Sequence, residues 1–210
     1  MKAMSNRGVR AIALFVGMAC VAQAANAVVN VDVWMSCDNQ YELYTGTALS
    51  TTGSVIGGVN NWAAATNYVF GTNPGDYLYV VGADYGAVFG LGGYVSIDGG
   101  ATYTAILAGN GWESVRIGPA TAWPAQPLID TWISNATLGG LWTPSVAGTG
   151  VVGFGLPATY GPMPALGCIW DAQADVNDMV LFRYRVVPSP ITAVPFGVVL
   201  VSGLMTRRRR

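Results

Sequence analysis

Four hard oxygen donors crowd into eight positions near the end of the chain: Asp171, Asp175, Asn177 and Asp178. Carboxylate and amide oxygens are what Ca²⁺ prefers, so this cluster predicts a calcium-stabilised loop. Its spacing lacks the D-x-D-x-D-G order of an EF-hand. The competing reading is a solvated acidic loop in which Asp175 or Asp178 caps a turn. Asp38 and Glu42 form a second acidic group, placed by alternation on one strand face with Gln40, which fits plain solvent exposure.

Catalytic chemistry is largely excluded. The chain has no histidine, which removes Ser-His-Asp and Cys-His machinery and every imidazole metal site. Its one lysine, Lys2, lies at the N-terminus, so the body offers no Schiff-base or phosphate-clamping lysine. Neither G-x-S-x-G nor G-x-x-x-x-G-K-[ST] occurs. A carboxylate-dependent glycosidase needs only two acidic groups, and eleven acidic residues guarantee some pair, so that count carries no weight. A non-catalytic protein is expected.

Aromatic rings offer a different chemistry, because a sugar ring stacks on an exposed aromatic face. Seven tryptophans are present: Trp34, Trp62, Trp112, Trp123, Trp132, Trp142 and Trp170. Trp34 and Trp170 sit in strand-like runs and are expected in the core. Trp112, Trp123 and Trp142 stand beside glycine or proline in loop-like stretches, so they are the candidates for ligand contact. Arg116 could donate to sugar hydroxyls or pair with a nearby acid such as Glu113.

The two ends of the chain concern transport rather than folding. Lys2, Arg7 and Arg10 precede an apolar stretch from Ala11 to Ala22, and Ala25-Asn26-Ala27 is an A-x-A cleavage site. Residues 1–27 therefore read as a signal peptide removed by signal peptidase, with Val28 as the mature start. Ala22-Gln23-Ala24 is a second candidate site. Cys20 falls in the apolar stretch, but Gly17 stands where a lipoprotein signal needs an aliphatic residue. At the other end, Pro188-Ser189-Pro190 precedes an apolar run from Ile191 to Met205, then Thr206 and Arg207, Arg208, Arg209 and Arg210. A terminal arginine block resists crossing a bilayer and is expected to stay cytoplasmic.

That tail, residues 188–210, resembles a PEP-CTERM signal, the bacterial sorting element paired with exosortase-type processing enzymes. Ser189 replaces the glutamate of the family's Pro-Glu-Pro triplet. The resemblance implies an exported protein of the cell envelope, cell surface or extracellular matrix, held at the membrane by its C-terminal hydrophobic helix. An ordinary C-terminal anchor is the competing reading, although the 15 apolar residues fall short of the ~20 that a stable span uses.

Removing both ends leaves residues 28–187, whose three arginines face eleven carboxylates, a net charge of about −8. Such a body cannot release counterions from a phosphate backbone, so nucleic acid is excluded as a partner. Its 160 residues suffice for one domain with a real core. Abundant glycine, frequent aromatics and closely spaced turn signals predict an all-β sandwich or barrel, and no sustained helical period stands out, so little helix is expected. Strands are expected at Val28–Met35, Tyr41–Tyr44, Tyr77–Val81, Val151–Leu156 and Val180–Val187. Gly93–Ile97 and Tyr103–Leu107 should form a hairpin about Asp98-Gly99-Gly100. Export favours a disulfide between Cys37 and Cys168, closing a loop of about 130 residues worth about 4–5 kcal/mol. Two buried thiols are the alternative.

Ser36-Cys37-Asp38-Asn39-Gln40-Tyr41-Glu42-Leu43-Tyr44 resembles the opening of galactose-binding-like jelly-roll domains. Trp62, the Pro74-Gly75-Asp76 turn, Cys168-Ile169-Trp170 and Phe182-Arg183 echo later parts of that pattern. The resemblance implies a jelly-roll sandwich, all-β and single-domain, and a role in binding polysaccharide. A purely structural envelope protein, or a carboxylate glycosidase, would be the other outcomes.

Overall fold

A computed structural model describes residues 28–59, 65–86, 88–149, 167–175 and 177–187. The residues read as a signal peptide (1–27) and a sorting tail (188–210), the strand expected at Val151–Leu156, and Trp62 lie outside the described residues. The elements are β1 (Val29–Asp38), β2 (Gln40–Gly46), β3 (Thr51–Val59), β4 (Thr66–Thr72), β5 (Tyr77–Ala83), β6 (Gly90–Ser96) and β7 (Thr104–Ala105). There follow β8 (Trp112–Pro119), α1 (Gln126–Leu138), β9 (Thr143–Pro144), β10 (Val146–Ala147), β11 (Ile169–Trp170) and β12 (Asp178–Arg185). One sheet runs β10-β11-β6-β1-β4, with β7 also on β6; the other runs β3-β2-β5-β12-β8-β9. Every pairing is antiparallel, so the protein is an all-β sandwich.

Alternation along β1 points Val29, Val31, Val33, Met35 and Cys37 into the space between the sheets. They meet Tyr41 and Leu43 of β2, Leu78 and Val80 of β5, Leu91 and Val95 of β6, and Val180 and Phe182 of β12. The expected hairpin about Asp98 is present, joining β6 to β7. Its Asp98 carboxylate accepts from Ser96 Oγ and from the Thr102 hydroxyl and N–H, which hold its pKa down at about 2.

The run Tyr77-Leu78-Tyr79-Val80-Val81 has no polar alternation because β5 is covered on both faces. Leu78 and Val80 face the other sheet, whereas Tyr79 and Val81 pack with Ile129 and Ile133 of α1. This 13-residue helix is the one described helix in an otherwise β fold, although no sustained helical period stands out in the sequence. Ile129, Trp132, Ile133 and Ala136 stand at i, i+3, i+4 and i+7, a short amphipathic stripe. Pro124 and Pro127 at its start and Gly139-Gly140 just after its end hide the period in any wider window.

The disulfide expectation is also corrected. Cys37 and Cys168 are both buried and are not bridged. Cys37 is in register with Leu91 on one side of β6, and Ile169 is in register with Leu91 on the other. The intervening strand sets the two chains ~9.5 Å apart, beyond the ~7 Å limit for a disulfide. Burial, with Asp38 and Asp84 nearby, holds the Cys37 thiol well above its ordinary pKa.

Candidate ligand-binding site

A pocket of about 340 Å³ opens where β8 leaves its sheet and the chain turns into α1. Trp123 and Trp132 line it, with Ile117, Thr121, Leu128 and Met179 among their neighbours. Local sequence explains the opening. β12 pairs Met179 with Gly118 but Val180 with Arg116, so Ile117 is an extra residue, a β-bulge. A bulge bends its strand and re-aims the adjacent side chains. Gly118 takes φ +137°, and Pro119 and Pro124 keep the following segment from continuing the ladder. Pro127 in the first helical turn, where no N–H partner is needed, then starts α1.

The helix wall is pinned from below and from its ends. Ile129, Ile133 and Ala136 are buried against the sheet. Asp130 accepts from the Thr51 N–H at 2.8 Å and from its hydroxyl at 2.6 Å. Gln126 donates to Thr51 Oγ1, and Thr137 donates to the carbonyl of Ala48. Trp132 is thus carried on a rigid element. The opposite wall is fixed by Arg116, whose Nε and Nη2 donate to Asp178 at 2.6 and 2.8 Å. Burial opposes the charge on Asp178, but Arg116 and the Asp175 N–H outweigh it and hold the carboxyl below its ordinary pKa.

Trp123 is half-buried, and its indole N–H is buried with no hydrogen-bond partner among the described residues. A buried donor left unpaired is costly, and this one belongs to a side chain that lines the pocket, with the N–H itself closed to solvent. Trp112 and Trp170 also lack an indole partner, but both lie in the core between the sheets.

The other sequence candidates fall elsewhere. Trp112, expected on an exposed loop, is 2% exposed: it opens β8 and packs on Tyr184 of β12, 5.2 Å between ring centres. The adjacent Gly111 reads as a loop signal, but that loop ends one residue earlier. Trp142 is half-buried, and its face is already occupied by the Arg183 guanidinium at 4.2 Å, while its N–H donates to Thr137 Oγ1. Arg116 pairs with Asp178 rather than Glu113; Glu113 instead accepts from Arg183 at 2.6 Å. Trp132 went unnoticed as a ligand candidate, although it shares the apolar stripe of α1.

The acidic loop does not converge on a common point. Asp171 accepts from the Ser114 hydroxyl and the Gln173 N–H, and Asp178 is taken by Arg116 and the Asp175 N–H. Asn177 takes φ +59° and donates its N–H to Asp84. Among the described residues no three acidic or sulfur ligands gather as a metal would require.

Asp38 and Asp84 are buried, and burial raises the pKa of both; Asp84 raises Asp38 further. Asp84 is consumed by the N–H groups of Gly86 and Asn177, which staples two loops. Neither acid lines the tryptophan pocket, which has no carboxylate. A second pocket of about 300 Å³, beside β2 and β3, has Glu42 as its one acidic residue. No family model matches this chain, and no curated protein or solved structure shows a significant similarity to it.

Proposed function

We propose that this chain is an exported, non-catalytic envelope protein that binds polysaccharide through the pocket between Trp123 and Trp132. One observation carries the reading: two half-buried indoles, Trp123 and Trp132, line one largely apolar pocket. Small-ligand sites combine such apolar walls with a few placed polar groups, and the volume lies at the lower end of their range. A sugar presents both an apolar face for stacking and hydroxyls that can bond a polar lining group such as Thr121. The non-catalytic part is supported by the scarcity of carboxylates at either pocket, since glycosidic hydrolysis uses two.

The sandwich is assigned to the galactose-binding-like jelly rolls on the Ser36–Tyr44 motif. Residues 188–210 would route the chain through an exosortase-like system, leaving residues 28–187 outside the membrane to meet extracellular polysaccharide. Binding is tested with the exported protein against a glycan panel and the producing cell's own polysaccharide, with and without a calcium chelator. Saturable binding that is lost in Trp123→Ala and Trp132→Ala, but kept in a folded Trp142→Phe, is the expected result. No binding by a well-folded sample would sink the reading and leave a structural envelope protein. Chelator sensitivity would reinstate calcium at the acidic loop.

A further inference from the structure

Among the described strands the two sheets end in β10, β4, β3 and β9, with the two-residue β7 a branch on β6, and the ends other than β4 are guarded. β9 and β10 are two residues long, and β9 carries Pro144. β3 is longer, but its pairing with β2 shifts register between Leu43 and Thr45, and Gly53 takes φ +76°. Short strands, proline and bulges are the devices that keep an edge from pairing with another chain. β4 has none of them. It pairs with β1 over seven consecutive residues without a shift, and no described strand lies on its other side. It contains no charged residue and no proline, in a body of net charge about −8. Val69 at its centre is 70% exposed.

The sequence of β4, Thr-Asn-Tyr-Val-Phe-Gly-Thr, is nearly symmetric about Val69. We propose that a second copy of this chain pairs antiparallel along β4, with the two Val69 residues facing each other on a two-fold axis. Thr66 then opposes Thr72 of the second copy, and Tyr68 opposes Phe70. Thr–Thr, aromatic–aromatic and β-branched pairs are the favourable cross-strand combinations. Register within each molecule fixes the faces. Tyr68 and Phe70 oppose Val33 and Val31 and are half-buried against the core, so the second copy completes their burial. Val69 opposes Asp32 on the outer face. Absence of charge along the strand lets two strongly acidic bodies meet there without like charges directly opposed. Edge pairing over seven residues is a small interface, so the dimer is reversible and concentration-dependent.

The experiment uses the full chain in a non-ionic detergent, with Cys20→Ser as background. In the proposed pair the two residues 69 lie ~5 Å apart, within disulfide reach. The two residues 67 lie ~13 Å apart on the same face. Under mild oxidation Val69→Cys should therefore form a covalent dimer and Asn67→Cys should not. Sedimentation of the Cys20→Ser background should show mass doubling with concentration, and Val69→Lys, which opposes two ammonium groups, should abolish it without lowering the melting temperature. A background chain that stays monomeric, equal cross-linking of the two cysteine variants, or a dimer that survives in a folded Val69→Lys would each overturn the proposal. Should Val69→Lys fail to fold, the cysteine pair decides. Glycan binding through Trp123 is a separate readout, so the two readings fail independently.

Discussion

Arg116 shows how one residue decides the charge state of another. Asp178 is 4% exposed at its side chain, and burial alone would push its carboxyl above the ordinary value of 3.8. The guanidinium reverses that sign. With its folded pKa lowered, Asp178 contributes stability above pH 3.8 that fades as pH falls through the folded value. Arg116→Ala leaves burial dominant, so the folded carboxyl rises and ionising it costs stability as pH increases. The variant should match the wild type near pH 3 and lose progressively more towards pH 7, read as urea midpoints at each pH. Adding Asp178→Asn should recover most of the neutral-pH loss. A pH-independent deficit would mean that Arg116 acts through packing rather than charge. None of this could be read from spacing, because Glu113 is the nearer acid in sequence while Asp178 is the nearer one across β8 and β12.

Among the elements, α1 matters most for the candidate site because it carries Trp132 and covers the outer face of β5 and β12. Ile133 is fully buried under it. Ile133→Ala should cost about 2–5 kcal/mol in chemical denaturation, the range for emptying a buried aliphatic site. It should also weaken glycan binding, because the pocket wall loosens. The close approach of β6 to β1 is equally exacting. Gly93 has φ +147°, and a Cβ there would stand 1.9 Å from the Trp34 carbonyl oxygen, a backbone atom that cannot swing away. Gly93→Ala should lower the melting temperature sharply, whereas alanine at Gly75, which has the open space but φ +89°, should cost only its local strain. Strand elements were legible where alternation was clean, as in β1 and β12, the latter overlapping the strand expected at Val180–Val187. β3, β4 and β8 were less legible. β3 is glycine-rich and half-exposed, so its pattern carries no apolar face to detect.

For the molecule as a whole, the unbridged thiols make a simple prediction. Reductant should leave the melting temperature unchanged, and Cys37 and Cys168 should react with a thiol reagent only on unfolding, as mass mapping would show. A drop in stability on reduction would restore the cross-link. The pair failed as a disulfide for a topological reason. Cys37 lies on β1 and Cys168 immediately precedes β11 of the same sheet, but β6 inserts between β1 and β11.

Composition and alternation by themselves determined the class of this protein. Scarce charge, frequent glycine and aromatics, and period-two runs leave a sandwich as the way to bury that surface, and the lack of histidine and of body lysine removes imidazole and amine chemistry before any folding is considered. These are local or summed properties, and they survive without knowledge of which segments meet. Tertiary structure decided everything that depends on meeting. It set Trp112 in the core and Trp123 beside an opening, gave Arg183 rather than a ligand to Trp142, and spent Asp171 and Asp178 on Ser114 and Arg116. The Ser114–Asp171, Arg116–Asp178 and Glu113–Arg183 contacts join residues 57 to 70 apart in sequence, which no spacing along the chain encodes.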